Sequence, residues 1–390
     1  KKMRIAWIID NKYRELYGLY DLKKELKKKN IFLIFIHKIN WRSSIDLINP
    51  SGIILPNLSE KFGEIILNYA KKKKIRVFYY PSEGLDNSKE FLNYVFPKRV
   101  INKIDHFLLW SKTDKLELQK RSKIRNNFSI VGNLRFLSLK KEYPKKISKV
   151  GIISSNKTLA SKISKNLVKS IYRRTGQKEL IDQIKTEFDY IHKVFEIINE
   201  LKKNKYKIIF KIHPFEDPKK YEFLGREELE YGNIHEFLKK VDVVLNLYSS
   251  GSIEAFTGNV PVISLKNLIP IKRKRLKNII STEIGLKPKS INDLISLLKS
   301  RPKDLQKKIK TKKNIAKVKK SIEFEKNLTN FIQSFLKLKI YDKKNFVNLF
   351  YLPKYILSEL KSLLLFRGYS LFRFYNPLDN FLLKKYKIKK

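Results

Sequence analysis

A chain of 390 residues with 42% hydrophobic and 12% aromatic residues is too apolar for a disordered segment and too long for one ordinary core, so two folded domains with an appendage are expected. The formal net charge of +49 attracts anions, but Lys is spread along the whole chain beside Ile and Asn and forms no stripe. That distribution speaks against a specific nucleic-acid surface and leaves nucleotide phosphates, anionic head groups and acidic polysaccharides as partners. Cysteine is absent, which excludes disulfide frameworks, thiolate metal sites and cysteine nucleophiles and fits a reducing cytoplasm.

Residues 4–9 form a short apolar run ending at Asp10, with neither the apolar core nor the cleavage site of a secretory signal. Further runs at 31–36, 52–55, 75–80, 106–110 and 128–131 read as strands. Between them, 16–29 and 62–73 space apolar residues by three and four, as covering helices do. Alternating strands and helices predict a parallel-sheet domain over 1–143. A charged stretch at 140–149 containing Pro144 reads as a linker. The rhythm then restarts with a strand at 150–154, a helix at 177–203 and strands at 207–212, 241–246 and 260–265. A helix near 291–300 and Lys-rich helical sequence to about 339, which could also cross back to the first domain, complete a second domain over 149–340.

From 341 to 390 the composition shifts to Leu and aromatics among Lys and Arg. Leu352, Ile356, Leu360, Leu363 and Leu364 fall on one helical face, followed by Phe366, Tyr369, Phe372, Phe374 and Tyr375. Two readings fit: a segment lying on an anionic membrane surface, here the inner face of the cytoplasmic membrane, or a helical hairpin packed on protein. No stretch approaches the roughly 20 apolar residues that span a bilayer.

Three motifs stand where predicted strands end, the position at which open α/β sheets bind ligands. Pro81-Ser82-Glu83-Gly84 follows the fourth strand and presents the Glu83 carboxylate, which can take a proton from a hydroxyl; a helix cap or a pairing with Lys uses Glu83 equally well. His213-Pro214 ends the strand that carries Lys211, and His there can bind or protonate a phosphate or serve as a structural hydrogen-bonding group. Ser249-Ser250-Gly251-Ser252 leads into a helix containing Glu254. Such a loop offers hydroxyls, backbone N–H groups and the positive end of a helix dipole to a phosphate, or simply caps the helix, while Glu254 could reach ribose hydroxyls or complement the dipole. His37, His106, His192 and His235 show no metal-ligand spacing and read as structural. No phosphate-binding G-x-x-x-x-G-K-[ST] loop or strand-linked G-x-G-x-x-G occurs.

In order and placement, Glu83-Gly84, His213-Pro214 and Ser249-Ser250 resemble the signature motifs of bacterial sialyltransferases of the GT-B type. Those enzymes carry two acidic residues before the Gly, and here Ser82 takes the first place. Over most of residues 1–300 the chain is similar to the bacterial surface carbohydrate (surface polysaccharide) biosynthesis family. The shared elements are Pro81-Ser82-Glu83-Gly84, Trp110-Ser111, Val131-Gly132-Asn133-Leu134-Arg135-Phe136, Lys211-Ile212-His213-Pro214-Phe215-Glu216 and Ser250-Gly251-Ser252-Ile253-Glu254-Ala255-Phe256, with Leu134 and Leu137 where Pro and Asp are expected.

The resemblance implies an α/β GT-B fold of two Rossmann-like domains facing a cleft, the first for the acceptor and the second for the donor. It implies a metal-independent glycosyltransferase without cofactor. Glu83 and His213 would be catalytic, and Lys211, Pro214, Ser249, Ser250, Gly251, Ser252 and Glu254 would hold the donor nucleotide and phosphate. The donor implied is a CMP-activated acidic sugar, a nonulosonate or Kdo, and the acceptor a glycan or lipid-linked glycan. The alternatives are polyol-phosphate transfer from a CDP-polyol on the same frame, as in teichoic-acid synthesis, and a non-catalytic basic protein binding membrane surfaces or nucleic acid.

Overall fold

The computed structural model describes residues 3–9, 15–16, 18–58, 60–82, 93, 95–124, 126–136, 141–156, 158–160, 164–213, 216–222, 224–225, 228–272, 276–277, 279–323, 328–338 and 349–357, with backbone alone at 60–61 and 164–177. The chain forms two compact units, residues 1–137 with 320–390 and residues 138–319. Each is built on its own parallel sheet.

The first unit contains β1 (Met3–Ile9), β2 (Ile31–His37), β3 (Gly52–Leu55), β4 (Arg76–Tyr79), β5 (His106–Leu109) and β6 (Phe128–Ile130). They pair in the order β2-β1-β3-β4-β5-β6, every pair parallel. The central strands are buried on both faces, which is why they read as unbroken apolar runs and not as alternating ones. Helices α1 (Leu19–Lys28), α2 (Trp41–Ile48), α3 (Glu60–Lys72), α4 (Lys98–Ile101) and α5 (Lys112–Arg121) connect them. In α1, Leu19, Leu22 and Leu26 are buried while the Lys residues between them stay in solvent. From β1 the chain moves outward to β2 and then returns to the other side of β1 for β3. That reversal leaves a crevice at the strand carboxyl ends, where ligands of doubly wound sheets bind.

The second unit contains β7 (Lys149–Ile153), β8 (Lys207–Lys211), β9 (Leu229–Glu230), β10 (Val243–Asn246) and β11 (Val262–Ser264), in the parallel order β11-β10-β7-β8-β9. Its reversal lies between β7 and β10. Helix α6 (Ser164–Lys203) covers one face, where Tyr190, Val194, Ile197 and Leu201 join the core of β7, β8 and β10. Helices α7 (Ile234–Lys240) and α8 (Gly251–Thr257) supply Phe237, Leu238 and Ala255 to the opposite face. Short α9 (Ile280–Glu283) and helices α10 (Ile291–Leu298), α11 (Pro302–Ile309) and α12 (Lys312–Ser321) follow. These two Rossmann-like units bear out the expected fold class.

The second domain was expected to run to residue 340, but the chain returns to the first unit at Lys320. The cause is the apolar face of α13 (Leu328–Leu336). Phe331 is fully buried, its ring stacked on Trp7 at 6.4 Å and edge-on to Tyr80 at 5.6 Å, so it completes the core of the first sheet. The Glu323 amide donates to the Trp110 carbonyl at 3.0 Å and the Thr113 hydroxyl to the Lys320 carbonyl at 2.6 Å, fastening the returning strand of chain.

Of the proposed membrane-facing tail, residues 349–357 are described and 358–390 lie outside the described residues, with Leu360, Leu363, Leu364, Phe366, Tyr369, Phe372, Phe374 and Tyr375. Tyr355 is buried and Lys73 lies over the Tyr351 ring, 5.7 Å from its centroid, so the start of this segment packs on the first unit. Phe350, Ile356 and Leu357 are exposed. Among the described residues no helix is long and apolar enough to cross a membrane.

Candidate functional site

A cleft lies at the carboxyl edge of the first sheet, around the crevice between β1 and β3. Trp7 of β1, Pro56 after β3, Tyr80 and Ser82 after β4, Trp110 after β5 and Asn133 and Arg135 after β6 line it, with Glu15 from the loop before α1. Tyr80, the residue before Pro81-Ser82, is hydrogen-bonded here to the motif at 131–136. The buried Tyr80 hydroxyl accepts from the Leu134 amide at 3.1 Å and donates to Asn133 Oδ1 at 3.4 Å, and that oxygen also accepts from the Arg135 amide at 2.9 Å. Burial holds the Tyr80 phenol far above its ordinary pKa, so it remains a neutral donor. The Leu134 N–H is used by Tyr80, a bond that a proline at this position could not make.

Neighbouring groups fix the cleft walls. Ser111 and Asp114 form a capping box on α5, and Asp114 Oδ2 also accepts from the Trp110 amide at 3.0 Å, which sets the backbone bearing the indole. Gly18 has φ +81°, and a Cβ there would stand 2.8 Å from the Leu134 carbonyl oxygen. Only glycine lets the start of α1 come this close. The Ser82 amide donates to the Pro56 carbonyl at 2.8 Å, tying the loop after β4 to that after β3. Glu83 and Gly84, the next residues, lie outside the described residues.

At the carboxyl edge of the second sheet three loops converge: 154–156 after β7, 212–216 after β8 and 247–250 after β10. Glu216 joins the first two. Its Oε1 accepts from the Ser154 hydroxyl at 2.8 Å and the Asn156 amide at 3.3 Å, and its Oε2 from the His213 amide at 3.1 Å and the Tyr221 hydroxyl at 2.9 Å. Desolvation pushes this fully buried carboxyl up to about 7. Glu187 of α6 accepts from the Thr158 and Leu159 amides at 2.9 and 2.8 Å and orders the chain beyond Asn156. The Tyr248 hydroxyl donates to the Ser155 carbonyl and joins the third loop to the first.

The residues expected to meet a donor fall into two groups. His213, Ser249 and Ser250 are partly exposed at the sheet edge. Lys211, Ser252 and Glu254 are buried instead. Lys211 Nζ donates to the Ile212 carbonyl at 2.9 Å, and desolvation lowers its amine to about 8. The Ser252 hydroxyl donates to the Ser249 and Ser281 carbonyls at 3.0 and 3.1 Å. Glu254 lies within α8, fully enclosed, away from any ribose at the surface. Gly251 serves packing: a Cβ there would stand 2.9 Å from Ile153 Cδ1. Pro214 lies outside the described residues.

The loop at the start of α8 is internally bonded. The Ser249 amide donates to Asn246 Oδ1 at 3.1 Å, Gly251 to Ser249 Oγ at 3.3 Å, Ser252 to the Ser249 carbonyl at 3.2 Å and Ile253 to the Ser250 carbonyl at 2.9 Å. The surface functionality is thus the hydroxyls more than a cradle of amides. Ser250 precedes the helix without a side-chain cap bond, unlike a simple N-cap serine.

Sequence reasoning passed over Ser154-Ser155-Asn156, although small polar residues directly after a buried strand at the reversal point are a usable signal. It read His106 and His235 as structural, and both are placed so: His106 Nε2 is 3.0 Å from Ser129 Oγ, its pKa lowered to about 4 by burial, and His235 is buried in α7. No group of three His, Cys, Asp or Glu among the described residues is arranged to hold a metal ion.

Neither a family model nor a curated protein matches the sequence. Solved structures with a similar course of chain include UDP-GlcNAc 2-epimerase of Methanocaldococcus jannaschii in complex with UDP-GlcNAc and UDP, at 16% identity over 77% of this chain and 94% of that one, with TM-score 0.45. MnaA of S. aureus in a co-structure with UDP has 14% identity over 88% and 100%, with TM-score 0.49. The apo form of WaaB, a lipopolysaccharide outer core galactosyltransferase, has 16% identity over 86% and 99%, with TM-score 0.36. Likeness at this level assigns this chain neither substrate nor reaction.

Proposed function

We propose that this chain is a nucleotide-sugar-dependent glycosyltransferase of surface polysaccharide or lipopolysaccharide synthesis. The supporting observation is that the described part of its motifs, Ser82, His213 and Ser249-Ser250, follows strands of two Rossmann-like parallel sheets at their carboxyl edges. The second unit takes the donor. His213, Ser249 and Ser250 bind its phosphate, and the buried Lys211, Glu216, Ser252 and Glu254 hold those loops in shape. The first unit takes the acceptor glycan. Glu83 removes the proton from the acceptor hydroxyl as its oxygen bonds to the anomeric carbon, and the bond from that carbon to the donor phosphate breaks, the nucleotide leaving with both electrons.

The preferred donor is a CMP-activated acidic sugar, a nonulosonate or Kdo, because the sialyltransferase-like motifs serve such donors. The net charge of +49 suits the anionic nucleotide of any such donor. Peripheral association with an anionic membrane face belongs to the same reading, since it would bring a lipid-linked acceptor within reach.

The test is nucleotide release by the purified chain from CMP-nonulosonates, CMP-Kdo, UDP-GlcNAc and CDP-polyols. Release of CMP from one acidic sugar nucleotide is expected, falling at least a hundredfold in Glu83→Gln and His213→Ala, the scale of a lost general base or charge-stabilising group. Release from a CDP-polyol alone would replace this reading with polyol-phosphate transfer. Release from none by a folded sample would move the reading to another nucleotide sugar or to a non-catalytic binding role.

A further inference from the structure

We infer that Glu216, which joins the loops after β7 and β8, exchanges one proton with solvent through a closed ring with Tyr221 and Ser154, and that its neutral form is the one that accepts an anion beside His213. The inference rests on the proposed function only in calling that anion the donor phosphate. The ring is read from three contacts. Glu216 Oε1 lies 2.8 Å from Ser154 Oγ, Ser154 Oγ 3.1 Å from Tyr221 Oη, and Tyr221 Oη 2.9 Å from Glu216 Oε2.

Either hydroxyl can donate across the Ser154–Tyr221 contact. When the carboxylate is ionised, both hydroxyls donate to it, and the Asn156 and His213 amides complete its four bonds. With a proton on Oε2 the ring runs one way: Oε2–H donates to Tyr221, Tyr221 to Ser154 and Ser154 to Oε1. Every hydroxyl hydrogen has an acceptor in both states. The proton therefore comes and goes without leaving a buried polar group unpaired.

The two states differ at the loop that carries His213. Ionised, Oε2 accepts the His213 amide and sets a negative charge behind this partly exposed residue. Neutral, that charge is gone and the amide bond loses its charge assistance. An anion arriving at His213 favours the neutral form, and by linkage a proton enters with it. The groups facing the carboxyl set the pH of the exchange. Desolvation and Glu187 of α6 favour the neutral form, while Lys211 of β8, itself acted on by Glu230 of β9, favours the charged one. Tyr190 of α6 and Tyr221 are held as neutral phenols. The balance puts the exchange near pH 7.

The experiment follows the backbone amide of His213 by NMR in the full-length, nucleotide-free protein grown with isotopically labelled histidine. The chain has five His, and His213→Gln identifies the signal by its loss. That signal is expected to titrate with a midpoint near pH 7 and to lose this step in Glu216→Gln. CMP is then the anionic probe. Between about pH 6 and 8 its affinity is expected to fall about tenfold more in the wild type than in Glu216→Gln, the effect of one unit of linked pKa. Ionisation of the CMP phosphate and of the imidazole is common to both proteins and cancels in that comparison. If Glu216→Gln fails to fold, Lys211→Met carries the test, since loss of the supporting cation raises the midpoint. A step that persists in Glu216→Gln, a midpoint unmoved by Lys211→Met, or equal pH dependence of CMP binding in wild type and Glu216→Gln overturns the inference. Nucleotide release is measured separately. Release with no Glu216-dependent step leaves the proposed enzyme standing and removes the switch, whereas the step and the linked CMP binding without release from any donor uphold the switch and move the proposed function to a binding role.

Discussion

Glu216 and Lys211 are buried neighbours in sequence and fold whose protonation the fold shifts in ways that give opposite slopes of stability against pH. In the unfolded chain Glu216 loses its proton near 4.5, but in the folded chain only near 7. Between those values the folded state holds the extra proton, so stability falls as pH rises through that window, by about 3 kcal/mol. Lys211 releases its proton near 8 in the fold against 10.5 when unfolded. From pH 8 to 10.5 the unfolded state holds the extra proton and stability rises. Hydrogen exchange in the second unit should therefore show least protection between about pH 7 and 8. Glu216→Gln, whose single side-chain oxygen can still accept from one of the His213 and Asn156 amides, should flatten the acid limb and, by removing the charge that supports the Lys211 ammonium, start the alkaline limb at lower pH. An unchanged acid limb would show that Glu216 ionises at its ordinary pKa.

Helix α13 shows what an element's sequence does and does not say. Helical sequence to about 339 was expected to close the second domain or to cross back to the first, and its apolar face does not by itself name the surface it meets. Phe331→Ala should cost about 3–5 kcal/mol through lost burial and the cavity left beside Trp7 and Tyr80. Exchange protection in β1 and β4 should then fall while that in α6 and β7 stays as in the wild type. Loss of protection in both units together would instead mean that they unfold as one.

The strands were legible almost to the residue, since buried parallel strands are short unbroken apolar runs. β9 was missed because two residues make no pattern. Helix α6 was expected from residue 177 because Gly176 resembles a helix boundary, yet its backbone is helical from Ser164. The loops bearing His213 and Ser249 were legible from where their strands end. The burial of Ser252 and Glu254 was not, because one turn of helix hides or exposes the same residue according to its neighbours.

At the scale of the whole molecule, a net charge of +49 will draw the chain to any polyanion, so charge attraction must be separated from a specific anchor by salt. Tyr355 is buried on the first unit, which makes removal of residues 358–390, and not of the whole tail from 341, the clean truncation. Flotation with vesicles containing phosphatidylglycerol should fall at least fivefold in that truncated chain at 0.15 M salt. Equal flotation, abolished in both chains by 0.5 M salt, would show that diffuse charge and no tail anchor holds the protein to lipid.

The second unit is an insertion within the first: the chain leaves at 137 and comes back at 320. On the ribosome, β1 through β6 are therefore made long before Phe331, the side chain that covers Trp7 and Tyr80. The later-made unit can close its own core first, while the earlier one waits for roughly half the protein to be synthesised. Order of synthesis and order of completion are inverted, and the waiting apolar face of the first sheet is the point at which a nascent-chain chaperone would act.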